Sequence, residues 1–108
     1  MARLDELEAL LGEGMQRSRQ TSLERRAPAF AAIPSLAKAR AGLRGFVRAH
    51  ADDARAWRLL SLAEETLLAY PLAIAALDRA LALDGRRDKR DLKRLAALHA
   101  AEVPDDDA

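Results

Sequence analysis

Several residue types are scarce in this sequence, and each shortage excludes a class of protein. The 108 residues include no cysteine and only four aromatic side chains. A disulfide framework, a thiolate metal site and a cysteine nucleophile are therefore excluded. The longest apolar run, residues 67–77, is far shorter than the roughly 20 residues that a membrane span requires. The acidic residues of the N-terminal stretch do not fit a signal peptide, so we expect a cytoplasmic protein with no membrane association.

Strand-forming residues are also rare, whereas helix formers dominate. Valine and isoleucine each occur only twice, while half of all residues are hydrophobic, mostly alanine and leucine. Alanine and leucine lead the scale of helix propensity. The composition therefore predicts an all-α protein.

The N-terminal third contains one clear amphipathic helix followed by an ambiguous stretch. Leucines recur at helical spacing over residues 4–11. Gly12 and Gly14 are expected to weaken or end this helix, and residues 15–26 could continue it or stay irregular. Pro28 and Pro34 predict a break between them, because proline removes a backbone donor and restricts the residue before it.

The remaining sequence predicts four helices separated by short turns. Asp53 is a suitable N-cap, Pro71 suits the first turn of a helix, and Gly85 suits the left-handed position after a helix end. The predicted helices cover residues 34–49, 54–68, 71–83 and 88–101. The residues expected to pack inward are Leu36, Ala39, Leu43, Phe46, Val47, Trp57, Leu60, Ala63, Leu67, Leu72, Ala73, Ala76, Leu77, Ala80, Leu81, Leu92, Leu95, Ala96, Leu98 and His99.

Residues 54–87 carry a spacing of large and small residues that is typical of one helical hairpin. Small residues let two helices approach closely, and large residues fill the space towards the next helix. With Ala54 as the first position, this segment resembles one tetratricopeptide repeat, a family of roughly 34-residue helix–turn–helix units. Glu64 and Gly85 depart from the usual pattern. The matching positions, which we expect to form the core of the repeat, are Trp57, Leu60, Ser61, Ala73, Leu77 and Ala80.

Weaker similarity on both sides extends the resemblance to about residues 35–101, one full repeat between two half repeats. It implies a short array of antiparallel helices, a fragment of a right-handed α-α superhelix, with an extra N-terminal helix. We expect three segments: the N-terminal helix and a basic connection in residues 1–34, the array in residues 35–101, and a disordered acidic tail in residues 102–108. Because such arrays depend on neighbouring repeats, either the N-terminal helix or a second copy of the chain must cover an open end.

The resemblance also implies a function without catalysis. In tetratricopeptide proteins the first helix of each pair lines a groove that binds extended peptides, and five of the corresponding positions here are basic. Arginine forms bidentate bonds with carboxylates, so we expect an acidic peptide or protein as partner, unless the acidic tail masks the groove. The predicted groove, a name kept below, consists of Arg55, Arg58, Leu62, Glu65, Thr66, Arg90, Lys93, Arg94 and Ala97.

Other classes of function receive less support from the sequence. No phosphate loop, nucleophile elbow or metal-ligand spacing occurs, and His50 and His99 are far apart. We therefore expect no catalytic residues, metal or cofactor. Residues 17–50, with eight basic residues against one acid, could instead bind nucleic acid. They could also dock on the acidic N-terminal segment of another copy in a self-assembling structural subunit.

Overall fold

The computed structural model of this protein describes residues 3–23 and 34–102, with only the backbone for residues 18–23 and 102. Within these ranges every regular element is an α-helix, which confirms the all-α prediction. The predicted break between Pro28 and Pro34 and most of the acidic tail lie outside the described residues. The helices are α1 (Leu4–Leu23), α2 (Pro34–Ala49), α3 (Ala54–Thr66), α4 (Tyr70–Leu83) and α5 (Lys89–Glu102).

Local signals set most of the helix ends. The side chain of Asp53 accepts a hydrogen bond of 3.1 Å from the backbone N–H of Ala56 and so caps α3. Pro71 lies in the first turn of α4. Gly85 adopts a φ of +70° after α4, as its position in the sequence predicts. Leu68 makes the tight turn after α3 with a φ of +64°, a conformation that a leucine adopts at a cost.

The first helix is longer than its glycines suggest. It continues through Gly12 and Gly14 to Leu23, so of the two alternatives left open for residues 15–26 the continued helix is found as far as Leu23. A Cβ atom added at Gly14 would lie 2.6 Å from Cδ2 of Leu36, which shows how closely α1 approaches α2 there. Gly14 therefore serves helix packing, and its low helix propensity does not end the helix because tertiary contacts outweigh it.

Successive helices pack against one another in an alternating arrangement. Leu7 contacts α2 at Gly42, and Gly14, later in α1, contacts Leu36, earlier in α2, so these helices are antiparallel. Helices α3 and α4 are also antiparallel, because Arg58 near the start of α3 reaches Asp84 after the end of α4. The molecule measures 37 × 36 × 19 Å, and its smallest dimension is about two helix diameters.

Helix α1 covers one end of this arrangement with leucines. Leu7 and Leu11 are buried in one cluster with residues of α2 and α3. Of the two expected ways to cover an open end, the chain uses its own N-terminal helix here. A second cluster joins α4 to α5 through Leu77, Leu81 and Leu98.

Some residues expected to pack inward are exposed. Leu72 is 50% exposed and Leu92 is 39% exposed, while Ala96 and His99 also face solvent. The expectation of packing is wrong for these four residues, because α4 and α5 bury narrower stripes than the sequence suggests. No helix among the described residues is long and apolar enough to cross a membrane.

Candidate functional site

The cationic residues of the predicted groove lie on α3 and α5, and three of the five bind carboxylates of the same chain. Arg55 donates a hydrogen bond of 3.0 Å to Asp5 and another to Glu8, both on α1. The hydrogen bond to Asp5, and to a smaller extent the one to Glu8, raises the pKa of Arg55. Arg55 therefore ties α3 to α1.

Arg58 lies at the centre of three aspartates, Asp84, Asp88 and Asp91, which together form the Arg58 cluster. Its Nε donates to Asp91, and an NH2 group donates to Asp84 at 2.7 Å. The hydrogen bond to Asp91 raises the pKa of Arg58, although partial burial of the guanidinium acts in the opposite direction. Oxygen atoms of the three carboxylates lie within 4.8 Å of one another, and the cation that stabilises their proximity is Arg58.

Arg94 bonds inward as well. Its Nε donates to Glu65 at 3.0 Å, and an NH2 group donates to the hydroxyl of Ser61 at 2.9 Å. Arg90 and Lys93 are exposed and have no ionic partner among the residues that the structure describes. The predicted groove is therefore a surface of paired charges with two free cations at one edge.

The uncharged members of the predicted groove complete its surface. Leu62 is half-buried against the first core cluster. The hydroxyl of Thr66 donates to the carbonyl of Leu62 at 2.8 Å, and Ala97 is exposed. They add little apolar area to which a ligand could bind.

The six residues expected to form the repeat core lie between α3, α4 and their neighbours. Ala73, Leu77, Ala80 and Ser61 have no exposed area, and Leu60 is 6% exposed. Trp57 is half-buried against the first cluster, and its Nε1 donates to the carbonyl of Ala51 at 2.9 Å. The hydroxyl of Ser61 donates to the carbonyl of Ala73 at 2.7 Å and so joins α3 to α4.

A buried acid on the other side of α3 binds two arginines of α2, and these residues form the Glu64 cluster. Glu64 is 2% exposed. Arg44 donates from Nε and NH2 to Oε2 of Glu64, at 2.9 and 2.8 Å. Oε1 of Glu64 accepts no hydrogen bond, and NH1 of Arg40 lies 3.6 Å from it. This carboxylate is therefore buried with only part of its hydrogen-bonding capacity used.

Beside the Glu64 cluster lies an open cavity of about 330 Å³, which we call the Trp57 cavity. Its floor comes from α3, and one wall comes from α4, where Leu72 is half-exposed. Arg44 and Arg79 lie at its borders, and the guanidinium of Arg79 stacks 5.5 Å from the centre of the Trp57 ring. The residues that line the cavity are Arg44, Trp57, Leu60, Glu64, Leu72, Ala75, Ala76 and Arg79.

Sequence reasoning did not identify this cavity, although one signal was present. Glu64 occupies a position where the repeat pattern usually has an aromatic residue, which indicates a local change in packing. Four of the residues that line the cavity follow helical spacing on α4 in the sequence: Leu72, Ala75, Ala76 and Arg79. The contribution of Arg44 from α2 depends on tertiary structure and has no local signature.

Comparisons with known proteins found no family model, no characterised protein and no solved structure that matches this chain.

Proposed function

We propose that this protein is a non-enzymatic protein–protein interaction module, a short tetratricopeptide-like array that acts as an adaptor or assembly factor for an acidic partner. The spacing of large and small residues in residues 54–87 supports the family resemblance. The antiparallel pairs α1–α2 and α3–α4 are compatible with it, since each could correspond to one repeat unit. On this interpretation α1 belongs to the array and is not an addition to it.

The Trp57 cavity is the surface that fits an acidic partner best. An acidic ligand at the predicted groove would compete with carboxylates that already bind Arg55, Arg58 and Arg94. Arg79, at the border of the cavity, has no carboxylate partner among the described residues. Arg44 uses Nε and NH2 to bind Glu64, so its NH1 group can still donate to a ligand.

The combination of apolar floor and cationic border defines the chemistry of the partner segment. Half-buried Trp57 and half-exposed Leu72 offer apolar surface to one large side chain, with buried Leu60 also lining the cavity, and about 330 Å³ is enough space for it. Carboxylates next to that side chain would meet Arg44 and Arg79. A short amphipathic helix with acidic residues beside a leucine or phenylalanine has this pattern and matches a common mode of peptide recognition. The observation that carries the proposal is this one juxtaposition of half-exposed apolar side chains and available guanidinium groups.

Titration with designed peptides tests the proposal directly. Trp57 is the only tryptophan, so its fluorescence reports on the cavity. A helical peptide with acids flanking a phenylalanine should bind with a micromolar Kd and change the emission of Trp57. Replacing the phenylalanine by alanine, or the acids by lysines, should weaken binding at least tenfold.

Two double variants distinguish the surfaces. Ala75→Glu with Arg79→Glu alters exposed residues of the Trp57 cavity and should abolish peptide binding. Arg90→Glu with Lys93→Glu reverses the two unpaired cations of the predicted groove and should leave binding unchanged. If instead only the second variant lost binding, the peptide would bind at the predicted groove and not at the Trp57 cavity. Failure of every acidic peptide at millimolar concentration would refute the proposal.

Nucleic-acid binding is the second candidate, and one observation favours it. Helix α2 contains four basic residues and no acid, and its exposed Lys38 and Arg48 have no ion pair within the described part of the chain. Phosphate contacts of this kind depend strongly on salt. A polarisation titration with a labelled duplex at low salt should show binding that Lys38→Glu with Arg48→Glu removes, and no change in polarisation would exclude this function.

A further inference from the structure

The two terminal helices of the array carry outward faces of matching spacing. On α1 the exposed line consists of Asp5, Ala9, Gly12 and Gln16, and on α5 it consists of Lys89, Lys93, Ala96 and Ala100. In both lines successive residues are separated by four, three and four positions, so each forms one straight stripe on its helix. The two stripes lie at opposite ends of the helix order, and one chain cannot bring its own two stripes together without losing this packing.

The charges of the two stripes are opposite. Acids lie in the first turn of α1, where Asp5 and Glu6 complement the positive end of the helix dipole. Asp5 also binds Arg55, whereas Glu6, beside the stripe, has no ionic partner among the described residues.

The first turn of α5 contains Lys89 and Arg90, which face an unfavourable dipole. The one acid in that turn, Asp91, binds Arg58. The side chain of Asp88 accepts hydrogen bonds from the backbone N–H groups of Arg90 and Asp91 and so caps α5. The side chains of Lys89 and Arg90 have no carboxylate partner among the described residues, so carboxylates from outside the chain would stabilise these two cations.

The shapes of the stripes also match. Gly12 has nothing within 4 Å of the position where a Cβ would be, and Ala9 is its exposed neighbour one turn earlier. On α5, Ala96 and Ala100 are equally small and exposed. Small residues on both sides allow helix axes to approach to about 8 Å. Leu92, 39% exposed beside the stripe of α5, would then lose contact with water.

We propose that α1 of one molecule docks on α5 of a second copy of this chain, with the two helices parallel and the copies joined head to tail. The parallel direction follows from the charges, because the acids lie at the start of α1 and the cations at the start of α5. In a pair of molecules, one α1 stripe and one α5 stripe remain unoccupied. Further copies can therefore add at either end, and the size of the assembly increases with concentration. The interface does not include the Trp57 cavity and is independent of the peptide-binding proposal.

Two blocked variants test this geometry. The head-blocked variant, Glu6→Lys with Ala9→Arg, changes only the exposed face of α1, and Glu6 has no ionic partner among the described residues. The tail-blocked variant, Lys93→Glu with Ala96→Glu, changes only the exposed face of α5. The control, Arg48→Glu, alters an exposed charge of α2. Circular dichroism first establishes that all variants keep the helical content and melting temperature of the unmodified chain.

Multi-angle light scattering then measures mass. At low salt the unmodified chain and the control should rise from 11.8 kDa to twice that mass or more between micromolar and millimolar concentration, and about 1 M sodium chloride should reverse the rise by screening charges. Each blocked variant alone should stay at the mass of one chain. A mixture of the two should form a dimer that grows no further, because only one productive pair of faces remains.

Three results would overturn the proposal. One is the mass of a single chain at every concentration of the unmodified protein. Another is association of a blocked variant on its own to the extent of the control. The third is a mixture of the two variants that does not dimerise, which would indicate a symmetric interface of another kind.

Discussion

Helix α3 carries ion clusters of opposite composition on its two sides. In the Glu64 cluster one buried carboxylate binds two arginines, and in the Arg58 cluster one arginine binds three carboxylates. The central side chains differ in solvent contact, since the side chain of Glu64 is 3% exposed and that of Arg58 is 27% exposed. The two clusters thus permit a comparison of an enclosed anion with a partly hydrated cation on a single helix.

The comparison predicts that the cost of breaking an ion pair depends on how far the side chain left behind is buried. An enclosed carboxylate without cations has lost its hydration and gains nothing in return. Around Arg58, the side chains of Asp84 and Asp88 are 38% exposed and recover part of their hydration when the arginine is removed, whereas that of Asp91 is 11% exposed. Loss of both arginines of the Glu64 cluster should therefore lower the free energy of unfolding strongly. Loss of Arg58 from its cluster should lower it moderately.

The largest effect is expected from Arg40→Ala combined with Arg44→Ala. This change leaves Glu64 enclosed with no cation, and removal of the partner of a buried charge costs roughly 3–5 kcal/mol. Urea unfolding followed by circular dichroism would measure the loss. Arg48→Ala, on the same helix but exposed and without an ion pair in the described residues, should change the free energy of unfolding by less than about 0.5 kcal/mol. Equal effects of the two changes would show that Glu64 does not depend on its arginines.

A smaller effect is expected from Arg58→Met, which keeps the length of the side chain and removes its charge. The three aspartates would repel one another, and only Asp84 and Asp88 have substantial access to water, so we expect a loss of about 2 kcal/mol. Because the pKa of Arg58 is raised, its contribution is fully present below the ordinary pKa of arginine and disappears only in strongly alkaline solution. The difference in melting temperature between this variant and the unmodified protein should therefore be constant from pH 7 to about pH 10. A difference that shrinks steadily over that range would contradict this account.

The smallest effect is expected from Glu64→Leu. An apolar residue of similar size removes the desolvation cost of the carboxylate, and such exchanges of a buried ion pair are often neutral or stabilising. Arg40 and Arg44 have side chains that are 33% and 41% exposed, so both can turn towards water. The free energy of unfolding should stay within about 1 kcal/mol of its original value or rise. A loss comparable to that of the double arginine variant would mean that Glu64 stabilises the fold through its charge.

Sequence reasoning succeeded where the determining signal was local. Four predicted helices coincide with α2 to α5 within about two residues, because a cap such as Asp53 and a stop such as Gly85 act on neighbouring backbone groups. It left the course of the chain after Gly14 open, because a contact with Leu36 on α2 decides that outcome. It failed for Leu72 and His99, because hydrophobic periodicity gives the direction of a buried face but not its width.

The candidate site depended more strongly on tertiary structure. The sequence predicted that the groove arginines lie on helices, and they lie on α3 and α5. Their partners could not be predicted, because the ion pairs join residues 20 to 50 positions apart, such as Arg44 with Glu64 and Arg55 with Asp5. Charge counts in a sequence give the cations available, and only a three-dimensional arrangement determines which of them remain free for a ligand.

The hydroxyl oxygen of Ser61 affects how α5 can separate from the other helices. The hydroxyl of Ser61 donates to the backbone of α4 and accepts from Arg94 of α5, so three helices meet at one rotatable group. If α5 separates from the other helices, the hydrogen bond from Arg94 to this hydroxyl breaks. The bond from the hydroxyl to Ala73 remains, so α3 and α4 stay together. We therefore expect α5, which is also held through Asp91 and Leu98, to open before the α3–α4 hairpin does, and a partner that docks on α5 to slow that opening.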